Sequence, residues 1–234
     1  MNNEKVNSTN DAYSLHRILK TDIKKYPNVE EDEIIFGCGC FWGAEKCFWK
    51  LPGVVTTSVG YAGGEKNNPT YYEVCSGLTG HSEVVRVIWD KREIDVSDLL
   101  KMFWECHDPT QKNRQGNDIG TQYRSAIYYK NENNIKTILA SKKQYQTELS
   151  KKNHGLIETE IKMIDSYFYA EEYHQQYLAS AGSRQYCSAS PTKVKLRVFT
   201  GSNYKLEDHI WENFNWEVDK CVLRSDNNPI KNNI

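Results

Sequence analysis

The chain of 234 residues has no long apolar run, no excess of either charge and no repeated segment. No stretch approaches the roughly 18 apolar residues that suggest a membrane-spanning helix. The 30 Lys and Arg nearly balance the 31 Asp and Glu, which leaves a formal net charge of −1. The sequence therefore predicts neither a membrane partner nor a nucleic-acid partner. Because the first thirty or so residues carry no signal-peptide core and no Arg-rich transit pattern, we expect a cytoplasmic location.

The sequence also lacks any Cys-x-x-Cys pair, although it contains seven cysteines. An odd, scattered set of cysteines fits a reducing compartment better than a secreted disulfide scaffold. A structural zinc site needs about four ligands at recognisable spacing. The spacing Cys38-x-Cys40 is not typical of such a site, so the sequence predicts no metal site.

The pattern of apolar residues predicts an α+β fold. Its order of elements is βαββαβ with an added helix and strand. We interpret this order as a two-layer sandwich with a mixed sheet, built on a ferredoxin-like split βαβ core and followed by a long C-terminal coil. The predicted strands cover residues 34–36, 54–61, 83–89, 123–129 and 157–164, and the predicted helices cover residues 44–51, 95–106, 132–153 and 167–180.

The segment 37–43 reads Gly-Cys-Gly-Cys-Phe-Trp-Gly and joins the first predicted strand to the first predicted helix. Cys40 would stand at the helix start, where unpaired backbone N–H groups and the helix dipole favour a thiolate. Phe41 and Trp42 place two large apolar side chains beside it. The segment therefore indicates a reactive thiol in an apolar site, although a lone cysteine of this kind is often a buried small hydrophobe.

The same segment resembles the signature of the type A peptide methionine sulfoxide reductases. Other matches follow in the family's order and spacing and cover roughly residues 33–190. They are Asn68-Pro69-Thr70-Tyr71, Val74-Cys75-Ser76-Gly77, Thr79-Gly80-His81-Ser82-Glu83-Val84-Val85, His107-Asp108-Pro109-Thr110, Asn117-Asp118-Ile119-Gly120-Thr121-Gln122-Tyr123-Arg124-Ser125 and His174-Gln175-Gln176-Tyr177.

The resemblance implies that Cys40 is the nucleophile and that Glu83 is the general acid. A free glutamate titrates near about 4.3, so it needs a raised pKa to hold a proton at neutral pH. An apolar pocket that contains Phe41 and Trp42 could raise the pKa of Glu83. Without the family match, Glu83 would be interpreted as a solvated carboxylate at a strand edge.

By the same resemblance, Tyr71 and Tyr123 hydrogen-bond the sulfoxide oxygen, a task that suits neutral phenolic donors. Phe41 and Trp42 would hold the methyl group on sulfur by apolar contact. Asp118 matches the aspartate of the same family loop, and either a catalytic positioning role or a turn would explain it.

Attack on the sulfoxide would leave Cys40 as a sulfenic acid, which a second thiol must convert to a disulfide. Resemblance favours Cys187 as this resolving cysteine, and Cys221 is a possible second resolving cysteine. Cys47 lies about 10 Å along the same predicted helix, beyond the ~7 Å limit between disulfide Cα atoms. Cys38 would close a tight, strained ring. The family's reductant is thioredoxin or another dithiol, with no bound cofactor.

The resemblance thus predicts a monomeric enzyme for oxidative damage repair, which reduces the S epimer of methionine sulfoxide, free or in proteins. We expect a polar arm at residues 1–32, a catalytic domain at residues 33–180 and a tail with the resolving cysteine at residues 181–234. Two other functions remain open. One is a non-enzymatic redox sensor, and the other is a hydrolase that pairs Cys40 with His81, His107 or His174.

Overall fold

The computed structural model describes residues 14–218 and 220–232. Its centre is a six-stranded sheet in the order β7-β6-β1-β3-β2-β8, and β4 and β5 form a separate two-stranded hairpin. The strands are β1 (Glu31–Cys38), β2 (Val54–Ala62), β3 (Ser82–Asp90), β4 (Arg114–Gln115), β5 (Asp118–Ile119), β6 (Ser125–Tyr129), β7 (Glu160–Met163) and β8 (Tyr167–Tyr169).

Strand β3 lies between β1 and β2 and pairs antiparallel with both. Strand β6 pairs antiparallel with the other edge of β1, and β8 pairs antiparallel with β2. The sheet is mixed because β6 and β7 are parallel. The predicted α+β class with a mixed sheet is therefore confirmed.

The helices are α1 (Phe41–Trp49), α2 (Tyr71–Cys75), α3 (Val96–Cys106), α4 (Ile135–Lys151), α5 (Asp208–Trp211) and α6 (Cys221–Arg224). Among the described residues, no helix combines the length and apolar character that crossing a membrane requires. Helix α3 begins at a capping box, in which Asp95 accepts the Ser97 N–H and Asp98 accepts the Asp95 N–H. This cap fixes the start of α3 where the sequence pattern predicts it.

The main hydrophobic core lies between the sheet and helices α1, α3 and α4. Alternation along β1 directs Ile34 and Phe36 into this core, whereas Ile35 belongs to a smaller cluster on the opposite face of the sheet. Phe36 stacks on Phe48 of α1 with ring centroids 4.8 Å apart. The core therefore fixes α1, and with it the residues at the N-terminus of α1, against the sheet.

Residues 14–30 pack on the sheet and on α1, whereas residues 1–13 of the predicted arm lie outside the described residues. His16 is fully buried, and its Nε2 lies 2.9 Å from Thr57 Oγ1. Arg86 donates to the carbonyl oxygens of Ile23 and Lys25. This segment forms a turn closed by a bridge between Leu15 and Asp22.

Residues 167–180, which the sequence analysis predicts to be helical, begin with a strand instead. Tyr167–Tyr169 is β8 and completes the sheet beside β2, and only short 3₁₀ turns follow at Glu172–His174 and Tyr177–Ala179. Gln176 has a φ of 46°, in the left-handed region that ends a right-handed helix. The helix prediction is wrong because pairing with β2 satisfies the backbone of this segment.

From residue 181 onward the described chain contains turns but no helix or strand until α5. This segment is nevertheless anchored to the core. Glu105 of α3 accepts the Leu196 N–H at 2.8 Å, and Tyr145 of α4 donates to the Val194 carbonyl oxygen at 3.1 Å. Helix α6 covers the outer side of α1, where Lys46 donates to the Ser225 carbonyl oxygen.

Candidate active site

One pocket of about 360 Å³ contains all seven side chains that the sequence analysis assigns to catalysis or substrate binding around the thiol. These residues come from α1, α2, β3 and the loop between α3 and β6. Three further residues complete the lining. The full set is Cys40, Phe41, Trp42, Tyr71, Glu83, Asp118, Tyr123, Tyr177, Arg184 and Tyr186.

Cys40 is the residue directly before α1, and it is only partly exposed. The turn that places it there depends on Gly39, which has a φ of +86°. A Cβ on Gly39 would lie 2.5 Å from Cβ of Gln115. Only glycine therefore allows both the positive φ and the close approach of the Gln115 loop.

The backbone N–H of Trp42 at the start of α1 lowers the pKa of the Cys40 thiol, as the sequence analysis expects for a helix start, although no hydrogen bond caps the helix through the sulfur. Burial acts more strongly in the opposite direction, and the carboxylate charge of Glu83 adds to it. The pKa of Cys40 is therefore raised well above its ordinary value. The expectation of a thiolate in the free protein is wrong, because loss of hydration outweighs the helix terminus.

Glu83 is buried in β3, with 2% of its surface exposed. Its Oε2 accepts the Phe41 backbone N–H at 3.1 Å. Burial raises the pKa of Glu83 to about 8; the Phe41 hydrogen bond opposes this rise, and the charge of Asp118 adds to it. Glu83 is therefore protonated at neutral pH, which is the state that proton donation requires.

The phenol groups of Tyr71 and Tyr123 face the same pocket. Burial raises the pKa of both side chains, so they remain neutral donors across the neutral range. Tyr71 is fixed at the start of α2, where its backbone N–H donates to Glu171 Oε1 at 2.9 Å. Two tyrosines and one carboxylic acid thus line the pocket as neutral hydrogen-bond donors.

Phe41 and Trp42 form the apolar wall of the pocket. Trp42 stacks on Tyr177 with ring centroids 3.9 Å apart, and its Nε1 donates to Nδ1 of His174 at 3.1 Å. Phe41 is buried and packs against the rings of Tyr61 and His174. The indole is therefore held on two sides and presents a fixed surface to a ligand.

Sequence reasoning missed Tyr177, Arg184 and Tyr186 as members of the pocket. The Tyr186 hydroxyl donates to Asp118 Oδ1 at 2.5 Å, and the Arg184 guanidinium lies 5.2 Å from the Tyr186 ring. The position of Tyr186 directly before Cys187 is the signal that could have pointed to it. Asp118 is thus hydrogen-bonded in the pocket and raises the pKa of Glu83.

The structure puts Cys187 and Cys221 behind α1, outside the lining of the pocket that holds Cys40. Cys187 is 5% exposed, and its Sγ would lie 2.6 Å from a Cβ on Gly43. Gly43 therefore makes room for Cys187 one turn along α1 from Cys40. Burial raises the pKa of Cys187 and of Cys221 to about 12.

No histidine lines the pocket of Cys40. His174 accepts from Trp42 at 3.1 Å, and the two ring nitrogens of His107 lie within 2.8 Å of the Phe103 carbonyl oxygen and Ser125 Oγ. Among the described residues that line this pocket, none therefore supplies Cys40 with the imidazole that a cysteine hydrolase uses.

A family profile described as peptide methionine sulfoxide reductase matches residues 32–205. The peptide methionine sulfoxide reductase MsrA of Vibrio vulnificus is 54% identical over 180 residues, which are 77% of this chain and 86% of that protein. The MsrA of Azotobacter vinelandii is 57% identical over 164 residues, which are 70% of this chain and 76% of that protein.

Solved structures agree with these matches. Methionine sulfoxide reductase A of Corynebacterium diphtheriae superposes with a TM-score of 0.67 at 42% identity and covers 76% of this chain and 86% of its own. Mxr1 from Saccharomyces cerevisiae in reduced form gives a TM-score of 0.63 at 34% identity, with 74% of this chain and 96% of its own covered.

Proposed function

The chain belongs to the peptide methionine sulfoxide reductase family, and on this premise we propose that it reduces the S epimer of methionine sulfoxide, free or in proteins, to methionine. It is an oxidoreductase that acts on methionine sulfoxide. One observation carries the mechanism: a thiol, a protonated carboxylic acid and two neutral tyrosines surround one pocket beside an aromatic wall. Every group that sulfoxide reduction needs is therefore present within that pocket.

In the first step the substrate methyl group rests on Phe41 and Trp42, and the sulfoxide oxygen accepts from Tyr71, Tyr123 and Glu83. The Cys40 sulfur attacks the sulfoxide sulfur while Glu83 transfers its proton to the oxygen. The sulfur–oxygen bond of the substrate then breaks and the hydroxyl passes to Cys40. Methionine leaves and Cys40 becomes a sulfenic acid. The proton lost by the Cys40 thiol reprotonates Glu83.

The raised thiol pKa fits this order of events. A protonated Glu83 does not impose the carboxylate charge that would oppose ionisation of Cys40. The Trp42 backbone N–H at the helix start favours the thiolate as it forms. We therefore assign thiolate formation to the substrate complex, in which the sulfoxide polarised by its hydrogen-bond donors favours attack. Asp118 acts as a positioning residue, held by Tyr186, that keeps the pKa of Glu83 high.

In the second step the Cys187 thiol attacks the sulfur of the Cys40 sulfenic acid, a disulfide forms and water leaves. The position of Cys187 against Gly43 supports this role, as does its electrostatic coupling to Cys40. Cys221 lines the same cavity as Cys187. It would attack Cys187 as a second resolving thiol, which returns Cys40 to the thiol state and leaves a Cys187–Cys221 disulfide.

Thioredoxin or another dithiol would reduce the final disulfide, without a bound cofactor. The proposal also includes oxidative damage repair by a cytoplasmic monomer, with no nucleic-acid or membrane partner. We also propose that the chain divides at the domain limits 1–32, 33–180 and 181–234, and that its core is a ferredoxin-like split βαβ unit. The strand order β6-β1-β3-β2 supports this description of the core.

Activity with a small dithiol tests the proposal without assuming the identity of the natural reductant. The wild-type protein and Cys40→Ser are incubated with a methionine sulfoxide peptide and dithiothreitol, and methionine peptide is counted. We expect turnover by the wild type and none by Cys40→Ser. Turnover by Cys40→Ser, or none by either protein, would contradict the proposed function.

A further inference from the structure

A second cavity, of about 180 Å³, lies behind α1 and is lined by five of the seven cysteines. These five thiols come from β1, α1, α3 and the chain after residue 181, so no spacing motif in the sequence connects them. Residues 216–218 and 220–222, which lie beyond the matched family range, form part of its wall. The cysteines are Cys38, Cys47, Cys106, Cys187 and Cys221.

Three of these thiols form a contiguous inner group. Cys106 neighbours both Cys38 and Cys47, and its thiol donates to the Phe103 carbonyl oxygen at 3.5 Å. The Cys38 and Cys106 sulfur atoms and a ring nitrogen of His107 all lie within 4.8 Å of one another. The three cysteines are only 2–3% exposed. The proposed reductase mechanism uses none of them, so this inner group has no assigned role.

His107 is not available to bind a ligand alongside the thiols. Its Nδ1 lies 2.7 Å from the Phe103 carbonyl oxygen, which can only accept, so Nδ1 carries the proton. Its Nε2 lies 2.8 Å from Ser125 Oγ and uses its lone pair to accept from that hydroxyl. The donor atoms that face the inner group are therefore sulfur atoms.

Sulfur donors without oxygen or nitrogen select soft cations, and hard cations such as Mg²⁺ and Ca²⁺ need oxygen ligands. A structural zinc site needs four ligands in a tetrahedron, and the inner group offers three. Cu(I) is satisfied by two or three thiolates. The charge of buried Lys46, next to Cys47 on α1, would offset the negative charge of such a complex.

We propose that Cys38 and Cys106 form a two-coordinate binding site for one Cu(I) ion, with Cys47 as a neighbouring thiol. Each ligating thiol releases its proton to water as the copper–sulfur bond forms, and copper remains Cu(I), so no electron is transferred. The cavity connects this inner group to Cys187 and partly exposed Cys221, which supply an entry path lined by thiols.

A competition titration tests the site directly. Fully reduced, metal-free protein is titrated under anaerobic conditions against Cu(I) held by bicinchoninate, whose colour reports the copper it keeps. We expect the wild type to withdraw one Cu(I) per chain. Cys38→Ser and Cys106→Ser should each weaken binding by at least about 100-fold, because losing a ligand costs more than the 10–100-fold that losing a partner of a ligand costs. Failure of the wild type to compete would overturn the proposal.

Cys75→Ser is the matched control because Cys75 lies on α2, outside the cavity lining. It should bind Cu(I) as the wild type does. Equal binding by Cys106→Ser and Cys75→Ser would overturn the proposal, as would loss of binding in Cys187→Ser alone. Copper X-ray absorption of the loaded wild type requires no variant to fold. A sulfur-only shell supports the site, whereas a nitrogen shell, which would implicate His107, contradicts it.

Discussion

Replacing Glu83 by Gln should make the protein more stable at pH 7 while it removes the proton donor. Gln is neutral, has nearly the same shape and keeps an oxygen for the Phe41 N–H, which Glu83 now accepts at 3.1 Å. Burial raises the pKa of Glu83 from 4.5 to about 8. Between these two values the folded protein binds one more proton than the unfolded chain. The free energy of unfolding therefore falls as pH rises through this window.

The size of this effect follows from one pKa unit being worth about 1.4 kcal/mol. Glu83 costs the folded wild type about 3 kcal/mol at pH 7 and about 1 kcal/mol at pH 5. Glu83→Gln carries no such cost. The gain in unfolding free energy from the substitution should therefore be about 2 kcal/mol larger at pH 7 than at pH 5.

Urea unfolding of the wild type and of Glu83→Gln at pH 5 and pH 7 gives the gain in unfolding free energy at each pH. The contributions of all unchanged groups cancel when the two gains are compared. Glu73→Gln is the control, because Lys66 holds the pKa of the exposed Glu73 carboxyl down to about 2. It should lose stability nearly equally at pH 5 and pH 7. In single turnover, Glu83→Gln should form methionine about 10²–10⁴-fold more slowly. Parallel pH profiles of stability for the wild type and Glu83→Gln would refute the raised pKa.

Three further substitutions test the remaining parts of the site. Cys187→Ser should release one methionine per chain in a single-turnover count but lose thioredoxin-supported cycling; unchanged cycling would mean that another thiol resolves the sulfenic acid. Gly43→Ala places a Cβ 2.6 Å from Cys187 Sγ. Gly43→Ala should therefore slow formation of the disulfide, measured as loss of free thiols with a thiol reagent, more than it slows formation of methionine. Loss of thiols at the wild-type rate would count against this geometry. Tyr123→Phe removes one of several neutral donors, so kcat/KM for a sulfoxide peptide should fall by at least about 10-fold, less than the 10²–10³-fold typical of a principal donor. An unchanged kcat/KM would exclude Tyr123 from the reaction.

The pocket residues that lie within motifs could be predicted from the sequence, whereas those whose contacts depend on the fold could not. Cys40, Glu83 and Tyr123 belong to segments that match the family, and the pocket brings them together. Tyr177 also lies in a matched segment, but its stacking on Trp42, like the hydrogen bond from Tyr186 to Asp118, joins distant parts of the chain. Local patterns contain no information on such pairs.

Local sequence patterns also fail to predict two features that depend on the whole fold, and the structure overturns both expectations. The helix start next to Cys40 is a local feature, but burial, which raises the pKa of the thiol, is produced by the whole fold. Residues 167–169 form a strand because the edge of β2 is free to pair with them, although their sequence lacks the alternation typical of strands. The anchoring of residues 181–207 likewise depends on contacts with distant elements, such as the burial of Leu196 and Leu206 in the main core and the Lys205 N–H that Asp98 accepts.

The most direct test of the account is a single-turnover experiment with the separated S and R epimers of a methionine sulfoxide peptide. Fully reduced protein is incubated with each epimer without added reductant, and methionine formed and thiols lost are counted. We predict consumption of the S epimer alone, with two thiols lost per methionine. No methionine from the S epimer, or disulfide formation by peroxide without any sulfoxide reduction, would contradict the enzymatic role and favour a thiol redox sensor.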